Sequence, residues 1–245
     1  MDLISVVIPA YDEWECIELF HAAVSRVAAS MTTVAFEFLF IDDGSTDRSL
    51  DVIKELRAAD PRVRYVSLSR NFGKEAAIHA GLRHARGDYV ALMDVDLQDP
   101  PGLIPEMYRR LTEGDSDCAA ATRHTRSGEG RLRSWASAGF YRVFNRLAKI
   151  DLVPGARDFR LMKRQVVDAV LELSEVNRFS KGLFEWVGFK TCWIEYDNVK
   201  RVAGTTKWSM WDLLRYSIGG ILDFSTAPLA VANAMGILFV MASFV

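Results

Sequence analysis

One stretch, residues 88–101, constrains this chain more than any other, because an apolar run there leads straight into acids. Tyr89–Met93 is short and apolar, which is typical of a strand buried on both faces. Asp94 and Asp96 follow it, and residues two apart on a strand point the same way. Two close carboxylates repel unless a cation lies between them, and their hard oxygens suit Mg²⁺ or Mn²⁺. The stretch therefore predicts a divalent cation bound through Asp96 and Asp94, although a short Asp-x-Asp is also common as solvated acids at a strand end.

Strand and helix patterns alternate along the chain. The apolar runs that predict strands in its first half are Leu3–Ile8, Phe36–Ile41, Val63–Leu68, Tyr89–Met93 and Cys118–Ala121. Segments with helical spacing of apolar residues separate them, which predicts βαβ units with right-handed crossovers. We therefore expect an α/β fold with a mostly parallel sheet flanked by helices.

Acids also follow the first and second of these strands. Asp12 comes after Leu3–Ile8, and Asp43 comes after Phe36–Ile41, as Asp94 comes after its own strand. In open α/β sheets ligands bind in a crevice outside the carboxyl ends of the strands. We therefore expect these three acids to converge on one crevice. Taken singly, Asp12 and Asp43 are equally well explained as turn residues, since Asp favours turns and caps.

The composition narrows the class of protein. The 245 residues are 50% hydrophobic and carry a formal net charge of −2 at pH 7, so no charge excess points to nucleic acid as a partner. Cys16, Cys118 and Cys192 are odd in number and lie in or beside apolar runs, which predicts free thiols in a reducing compartment. Leu3–Ile8 is preceded by one acid and no basic segment, so we expect no secretory signal peptide.

Three motifs together resemble those of the family 2 glycosyltransferases with the GT-A fold: Ser5–Ala10, Ile41–Ser45 and the stretch from Asp94 to Pro101. The resemblance implies a Rossmann-like catalytic domain that binds a nucleotide-diphosphate sugar. It also implies roles for residues that match the family's motifs. Pro9, Ala10, Tyr11 and Asp12 line the nucleoside, and Asp43 contacts the base with Lys74 near it. Asp94 contacts ribose or metal, Gln98 contacts the nucleotide sugar, and Asp96 holds the metal on the diphosphate.

The segment 122–149 is strongly basic. It contains one acid, Glu129, against seven cations: Arg123, Arg126, Arg131, Arg133, Arg142, Arg146 and Lys149. Arginine suits phosphate because its guanidinium binds in a bidentate manner, but a solvated basic face is the alternative. In the resembling family the corresponding loop covers the acceptor site. The resemblance therefore implies that Arg123 and Arg133 contact an acceptor phosphate.

Asp158 lies in the run Gly155–Met162, just before a short strand-like pattern. The resemblance places an acid in this setting against the sugar and the acceptor, and so makes Asp158 a catalytic candidate. An alcohol acceptor needs a general base, whereas a phosphate monoester with a second pKa of about 6 is already largely dianionic at pH 7. Asp158 is therefore a base or an orienting group, and a loop Asp that caps its own turn is the alternative.

The run Arg201–Ser209 resembles an Arg-x-x-Gly-x-Ser/Thr-Lys-Trp/Tyr element of polyprenyl-phosphate glycosyltransferases. Gly204 allows a tight backbone path, so that Arg201 and Lys207 can face one phosphate. The segment Trp208–Phe224 then has aromatic residues and few charges, which suits a membrane interface. Residues 227–245 carry no charge, which favours the start of a transmembrane helix over a buried helix that closes the core.

These patterns predict three parts: a GT-A catalytic domain over residues 1–198, an acceptor-phosphate element with a juxtamembrane amphipathic helix over 199–226, and the start of a transmembrane segment over 227–245. The expected reaction moves a hexose, in the first place glucose from UDP-glucose, to undecaprenyl phosphate, inverting the anomeric centre. We expect it at the cytoplasmic face of a cell membrane, with a homo-oligomer allowed.

Other readings of the sequence remain open. Two are transfer of mannose from GDP-mannose to dolichol phosphate, and transfer of an aminoarabinose-type sugar to undecaprenyl phosphate. Asp94, Asp96 and Asp158 argue against a nucleotide-binding module without catalysis. A processive polysaccharide synthase usually carries a Gln-x-x-Arg-Trp element, where this chain has Arg201 and Lys207-Trp208.

Overall fold

A seven-stranded sheet forms the centre of the protein in the computed structural model, which describes residues 1–123, 145–146, 153, 155–175, 178–197 and 218–244. The strand order is β3-β2-β1-β4-β6-β5-β7. The strands are β1 Leu3–Ala10, β2 Ala35–Asp42, β3 Val63–Ser67, β4 Tyr89–Leu92, β5 Cys118–Arg123, β6 Ala156–Lys163 and β7 Thr191–Tyr196. β7 lies at one edge of the sheet.

Helices cover both faces of this sheet. They are α1 Trp14–Ser30, α2 Ser49–Ala59, α3 Lys74–His84, α4 Ile104–Glu113, α5 Arg164–Glu172, α6 Ser180–Trp186, α7 Ile218–Phe224 and α8 Ala227–Ser243, with a 3₁₀ turn at Pro101–Leu103 before α4. On one face α1 buries Ile17, Phe20 and Val24 against β1 and β2. On the other face α3 buries Ala77 and Ile78. Most residues of β1 and β2 are buried, since a parallel sheet covered on both faces has no solvent side.

The sheet is mostly parallel, which confirms the fold class expected from the alternating pattern. β1 pairs in parallel with β2 and β4, β2 with β3, and β5 with β7. β6 is different, because it runs antiparallel to both of its neighbours, β4 and β5. As a result, the amino end of β6 lies at the carboxyl end of β4.

Two element boundaries differ from the sequence-based expectation and both concern the site. β4 ends at Leu92, so Asp94 and Asp96 lie in the turn after the strand and are not aligned by strand periodicity. Asp158 lies inside β6, as its third residue, and not before the strand. The pairing Leu92↔Arg160 places Asp158 beside the chain that leaves β4.

The two C-terminal helices differ in their surroundings. Phe224 of α7 packs against Phe179 and Trp186, with ring centroids 6.3 and 5.9 Å away. Gly182 of α6 makes room for it, since a Cβ there would lie 2.4 Å from the Phe224 ring. By contrast, α8 exposes large apolar side chains such as Leu229 and Phe239.

No single helix in the described parts of the chain is long and apolar enough to cross a membrane. By length and composition, one bent pair meets the requirement: Ile218–Phe224 together with Leu229–Ser243, at an angle of 86°. The transmembrane segment expected over residues 227–245 therefore stays a prediction.

Candidate active site

Three charged side chains meet where β4 and β6 come together. The Lys74 ammonium lies 2.6 Å from Oδ1 and 2.9 Å from Oδ2 of Asp94, and 2.5 Å from Oδ2 of Asp158. Lys181 is further away, with Nζ 3.9 Å from Oδ1 of Asp158. The side chains of the three central residues are between 18% and 30% exposed, so the cluster is largely withdrawn from water but reachable from it.

The fold explains why residues so far apart in sequence meet here. Lys74 is the first residue of α3, which begins after Gly73 at the carboxyl edge of the sheet. Asp94 leaves β4 at the same edge, and the antiparallel direction of β6 brings Asp158 to it. We expected Lys74 beside a nucleoside base; the structure places its ammonium between two carboxylates.

The pKa values in this cluster follow from burial and from mutual attraction. Burial disfavours the charge on Lys74, but attraction to Asp158 and Asp94 outweighs it and raises the pKa of Lys74. Burial also acts to raise the pKa of Asp158, yet Lys74 and Lys181 hold it well below its usual range. For Asp94, burial and the negative charge of Asp158 raise the pKa in spite of Lys74. Asp158 is therefore the acid that stays ionised, and a low pKa makes it a poor proton acceptor.

The turn after β4 is held by buried residues. Asp96 is 5% exposed, and its Oδ1 accepts a hydrogen bond of 3.1 Å from the backbone N–H of Gln98. Val95 is buried in the core. Leu97 has a φ of 57°, a left-handed value that an apolar side chain rarely adopts. Such backbone strain clusters at functional sites, because the surrounding structure must enforce it.

Acids tie the neighbouring loops of the sheet edge together. Asp12 follows β1 at a φ of 48°, and its Oδ1 accepts a 2.7 Å hydrogen bond from the backbone N–H of Thr46 after β2. Asp43 accepts hydrogen bonds of 2.8 and 2.9 Å from the backbone N–H groups of Phe72 and Gly73 after β3. Here both acids are turn residues; the nucleoside contacts expected of them stay predictions.

Other residues assigned to the nucleotide sugar lie near this edge. Pro9 and Ala10 are the last residues of β1, and Tyr11 is the next residue along the chain. Gln98 follows Asp96 in the turn, and its Oε1 accepts a 3.3 Å hydrogen bond from Arg157 Nη2. The expected convergence of acids after β1, β2 and β4 on one edge is confirmed, since these three strands are parallel neighbours.

A second charged cluster, which the sequence did not predict, supports the same turn from the opposite face of the sheet. Asp99 is fully buried, and its Oδ1 accepts hydrogen bonds from Arg157 Nε, at 3.0 Å, and from the Tyr196 hydroxyl. The Arg123 side chain in turn hydrogen-bonds to Tyr196. Burial, the Asp99 charge and its hydrogen bond together raise the pKa of Tyr196 to about 12. Arg123, expected at an acceptor phosphate, thus contacts this cluster.

β6 holds both clusters through adjacent residues. Successive side chains of a strand point to opposite faces, so Arg157 reaches Asp99 and Gln98 while Asp158 reaches Lys74. The register between β5 and β6 shifts here: Ala120 pairs with Arg160, but Thr122 pairs with Ala156. One residue of β5 therefore faces three of β6, and bulges of this kind re-aim side chains next to active sites.

Comparison with known proteins shows the family of this chain. A family model described as Glycosyl transferase family 2 matches residues 5–171, more than half of the chain. The chain belongs to glycosyl transferase family 2. Within the family it is similar to the bactoprenol glucosyl transferase of Shigella phage SfV, at 40% identity over 241 residues that cover 98% of this chain and 78% of that protein.

The chain is also similar in fold to solved structures. Mannosyl-3-phosphoglycerate synthase from Rubrobacter xylanophilus aligns with a TM-score of 0.61 and 15% identity, over 100% of this chain and 76% of that one. Glucosyl-3-phosphoglycerate synthase from Mycobacterium tuberculosis, solved with Mn²⁺, UDP-glucose and phosphoglyceric acid, aligns with a TM-score of 0.53 and 20% identity, over 89% of this chain and 76% of that chain. These likenesses show the GT-A fold.

Asp94 and Asp96, the acids that follow β4, are the candidate ligands for a divalent metal. Among the residues described, no group of three or more His, Cys, Asp or Glu side chains is arranged to hold one. Mg²⁺ is usually held by one or two carboxylates, with substrate phosphates and waters as its other ligands. The carboxylates of Asp96 and Asp94, at the carboxyl end of β4, fit that donor set. Arg133, Arg201 and Lys207, expected at an acceptor phosphate, lie outside the described residues.

Replacing Tyr196 with Phe tests the second cluster. We expect Tyr196→Phe to lower the free energy of unfolding by about 1.5–3 kcal/mol, because a hydrogen bond to a buried, charged carboxylate is lost. Because the pKa of Tyr196 is raised in the folded protein, the wild type has the full stabilisation from this hydrogen bond below the ordinary pKa of tyrosine, near 10. That stabilisation disappears as the pH rises through about 12.

Urea denaturation at several pH values measures this difference. The difference in the free energy of unfolding between wild type and Tyr196→Phe should be constant from about pH 6 to 9 and decrease above about pH 10. Tyr65→Phe, on the 39% exposed Tyr65 of β3, is the matched control and should change stability by less than about 0.5 kcal/mol. A gap that widened at alkaline pH would contradict the assigned hydrogen bond.

Proposed function

We propose that this family 2 glycosyltransferase moves a hexose, glucose from UDP-glucose, to undecaprenyl phosphate. The observation that carries the proposal is the meeting of Asp158, Lys74 and Asp94 beside Asp96, at the edge of the sheet where α/β folds bind ligands. The similarity to a bactoprenol glucosyl transferase over 98% of the chain supports the choice of sugar and acceptor. A bound nucleotide sugar and Mn²⁺ in a structure with the same fold support the donor class.

The reaction is a displacement at the anomeric carbon with inversion. The bond from that carbon to the UDP oxygen breaks, its electron pair leaves with the diphosphate, and an oxygen of the acceptor phosphate forms the new bond from the opposite side. A divalent cation held by Asp96 and Asp94 would neutralise the leaving diphosphate. Bringing acceptor and sugar together in one orientation supplies much of the remaining acceleration.

Asp158 orients groups in this proposal and does not remove a proton. A phosphate monoester with a second pKa of about 6 is largely dianionic at neutral pH, so the nucleophile needs no base. The low pKa of Asp158, held by Lys74 and Lys181, agrees with this role. Lys74 holds Asp158 in an ion pair, and Lys181 adds a second cation next to the reacting phosphate.

The acceptor phosphate itself needs further cations. We assign this role to Arg123, Arg133, Arg201 and Lys207, as the resemblance implied. Arg123 is the one of these that lies in the described part of the chain, where it contacts Tyr196 at the edge strand β7. A phosphate that drew Arg123 away from Tyr196 would link acceptor binding to the cluster around Asp99.

We propose that the protein works at the cytoplasmic face of the cell membrane. A polyprenyl chain does not leave the bilayer readily, since each methylene withdrawn costs about 0.8 kcal/mol. The enzyme must therefore come to the lipid. The exposed apolar side chains of α8, and its bent pairing with α7, are suited to contact with lipid.

Transfer assays on the purified full chain in detergent test the proposal. UDP-glucose, GDP-mannose and a UDP-aminoarabinose are each offered with undecaprenyl phosphate, dolichol phosphate or no lipid, and products are identified by mass spectrometry. We expect glucosyl undecaprenyl phosphate from UDP-glucose, in the β configuration if the α-linked donor is inverted. Transfer to a simple sugar alcohol as readily as to the lipid phosphates would overturn the proposed acceptor, and mannose transfer alone would overturn the proposed donor.

A further inference from the structure

Lys74 occupies the position at which a cation would lie between the acids of the site. Its ammonium contacts both carboxylate oxygens of Asp94 and one oxygen of Asp158, at 2.5–2.9 Å. Asp94 is one of the two residues assigned to the metal. An ion bound between the two oxygens of Asp94, at the usual Mg²⁺–oxygen distance of about 2.1 Å, would overlap the ammonium, so Lys74 and the metal compete for this side of the carboxylate.

The side chain of Lys74 is able to give way. It is 30% exposed and its stem is unbranched, so the ammonium can swing while the backbone stays in the first turn of α3. A bound nucleotide diphosphate would bring negative oxygens to the same edge of the sheet. These oxygens would attract the Lys74 ammonium in place of Asp94, while the ion pair between Lys74 and Asp158 is kept.

We propose that Lys74 is an internal counter-cation that closes Asp94 to free metal, so that the divalent cation enters together with the nucleotide diphosphate. The inference rests on the proposed metal role of Asp94 and Asp96, but not on the identity of the sugar or of the lipid acceptor. Binding is then ordered. Before the nucleotide binds, the Lys74 ammonium neutralises the carboxylate of Asp94. The diphosphate then draws the ammonium away from Asp94 and supplies further ligands to the metal.

Lys74→Met tests this by a gain of binding, which damage to the fold would not produce. Without the ammonium, the carboxylates of Asp94 and Asp158 repel each other, and a divalent cation relieves that repulsion. We expect Lys74→Met to bind Mn²⁺ alone about tenfold or more tightly than the wild type, as measured by isothermal titration and by the electron paramagnetic resonance signal of free Mn²⁺. Unchanged or weaker Mn²⁺ binding by a folded Lys74→Met protein would overturn the proposal.

Two controls separate this effect from a general change of charge. Lys54→Met removes a surface lysine that lies 3.6 Å from Asp51, and should leave Mn²⁺ affinity unchanged. Lys74→Arg keeps a cation in place and should bind Mn²⁺ alone as weakly as the wild type. A gain in Lys54→Met equal to that in Lys74→Met would show an effect of net charge and contradict the assignment.

The wild type provides a measurement that does not depend on whether any variant folds. Its affinity for Mn²⁺ should rise about tenfold or more when UDP is present, and by linkage Mn²⁺ should raise the affinity for UDP by the same factor. GDP serves as a second probe if UDP does not bind. Equal Mn²⁺ affinity with and without a bound nucleotide would overturn the proposal, whereas failure to glycosylate a polyprenyl phosphate would overturn the proposed function and leave this coupling intact.

Discussion

Asp96→Asn should lower the turnover number by about a hundredfold or more, the equivalent of about 2.7 kcal/mol in the transition state. The amide oxygen of Asn can still accept the hydrogen bond from the Gln98 N–H, so the turn after β4 should keep its shape. The negative charge that would hold the metal on the leaving diphosphate is lost. Asp96 is buried, so the position is not tolerant by exposure. We expect the fold to be kept because Asn has nearly the same size and shape as Asp.

Steady-state kinetics with and without excess EDTA measure the effect. EDTA should bring the wild type to about the residual rate of Asp96→Asn and should change that variant little. Asp51→Asn, on a residue that is 68% exposed, is the matched control and should retain wild-type kinetics. If the wild type kept full activity in excess EDTA, the assignment of Asp96 and Asp94 to a metal would be wrong.

Asp158→Asn should lower the turnover number by about a hundredfold while the KM for the nucleotide sugar changes only a few-fold. This is the pattern of an interaction made mainly in the transition state, as we propose for Asp158 with Lys74 and Lys181, the two lysines that contact it. Retained turnover with weakened donor binding would assign Asp158 to the nucleotide sugar instead. Asp168→Asn, on the 58% exposed Asp168 of α5, is the matched control.

The same variant should show a pH signature in its stability. Because the pKa of Asp158 is held below its ordinary value, near 3.9, its ion pair contributes to stability fully above that value and loses the contribution as the pH falls through the lower, folded pKa. The difference in melting temperature between wild type and Asp158→Asn should therefore be constant from about pH 8 to 5 and shrink only below about pH 4. A difference that grew on acidification would contradict the ion pair.

Much of the sheet edge could be predicted because local signals determine it. Apolar runs ending in acids placed Asp12, Asp43 and Asp94 after parallel strands, and those strands proved to be neighbours. The family's motifs singled out Asp158 by its setting. What local patterns do not contain is the path of β6, whose antiparallel insertion between β4 and β5 brings Asp158 to Lys74.

The cluster around Asp99 was missed for a related reason. Asp99 precedes two prolines and has the composition of a turn residue, so its sequence setting gives no sign of full burial. Arg157 and Tyr196, its partners, come from β6 and from the edge strand β7, 58 and 97 residues away along the chain. Only Arg157 of these two had a local signal in the sequence. It directly precedes the catalytic candidate Asp158, and adjacent residues of a strand face opposite sides of the sheet.

The irregular register of β6 has a consequence for how this site can change during evolution. Between Ala120↔Arg160 and Thr122↔Ala156, β6 carries two more residues than β5, and Arg157 and Asp158 lie within that excess. Deleting Phe159, the residue between Asp158 and the Ala120↔Arg160 pair, would move both charged residues by one position, so that Arg157 would face Lys74 and Asp158 the side of Asp99. This one-codon deletion would thus invert the sign of charge in both clusters at once, at the expense of one buried aromatic residue of the sheet.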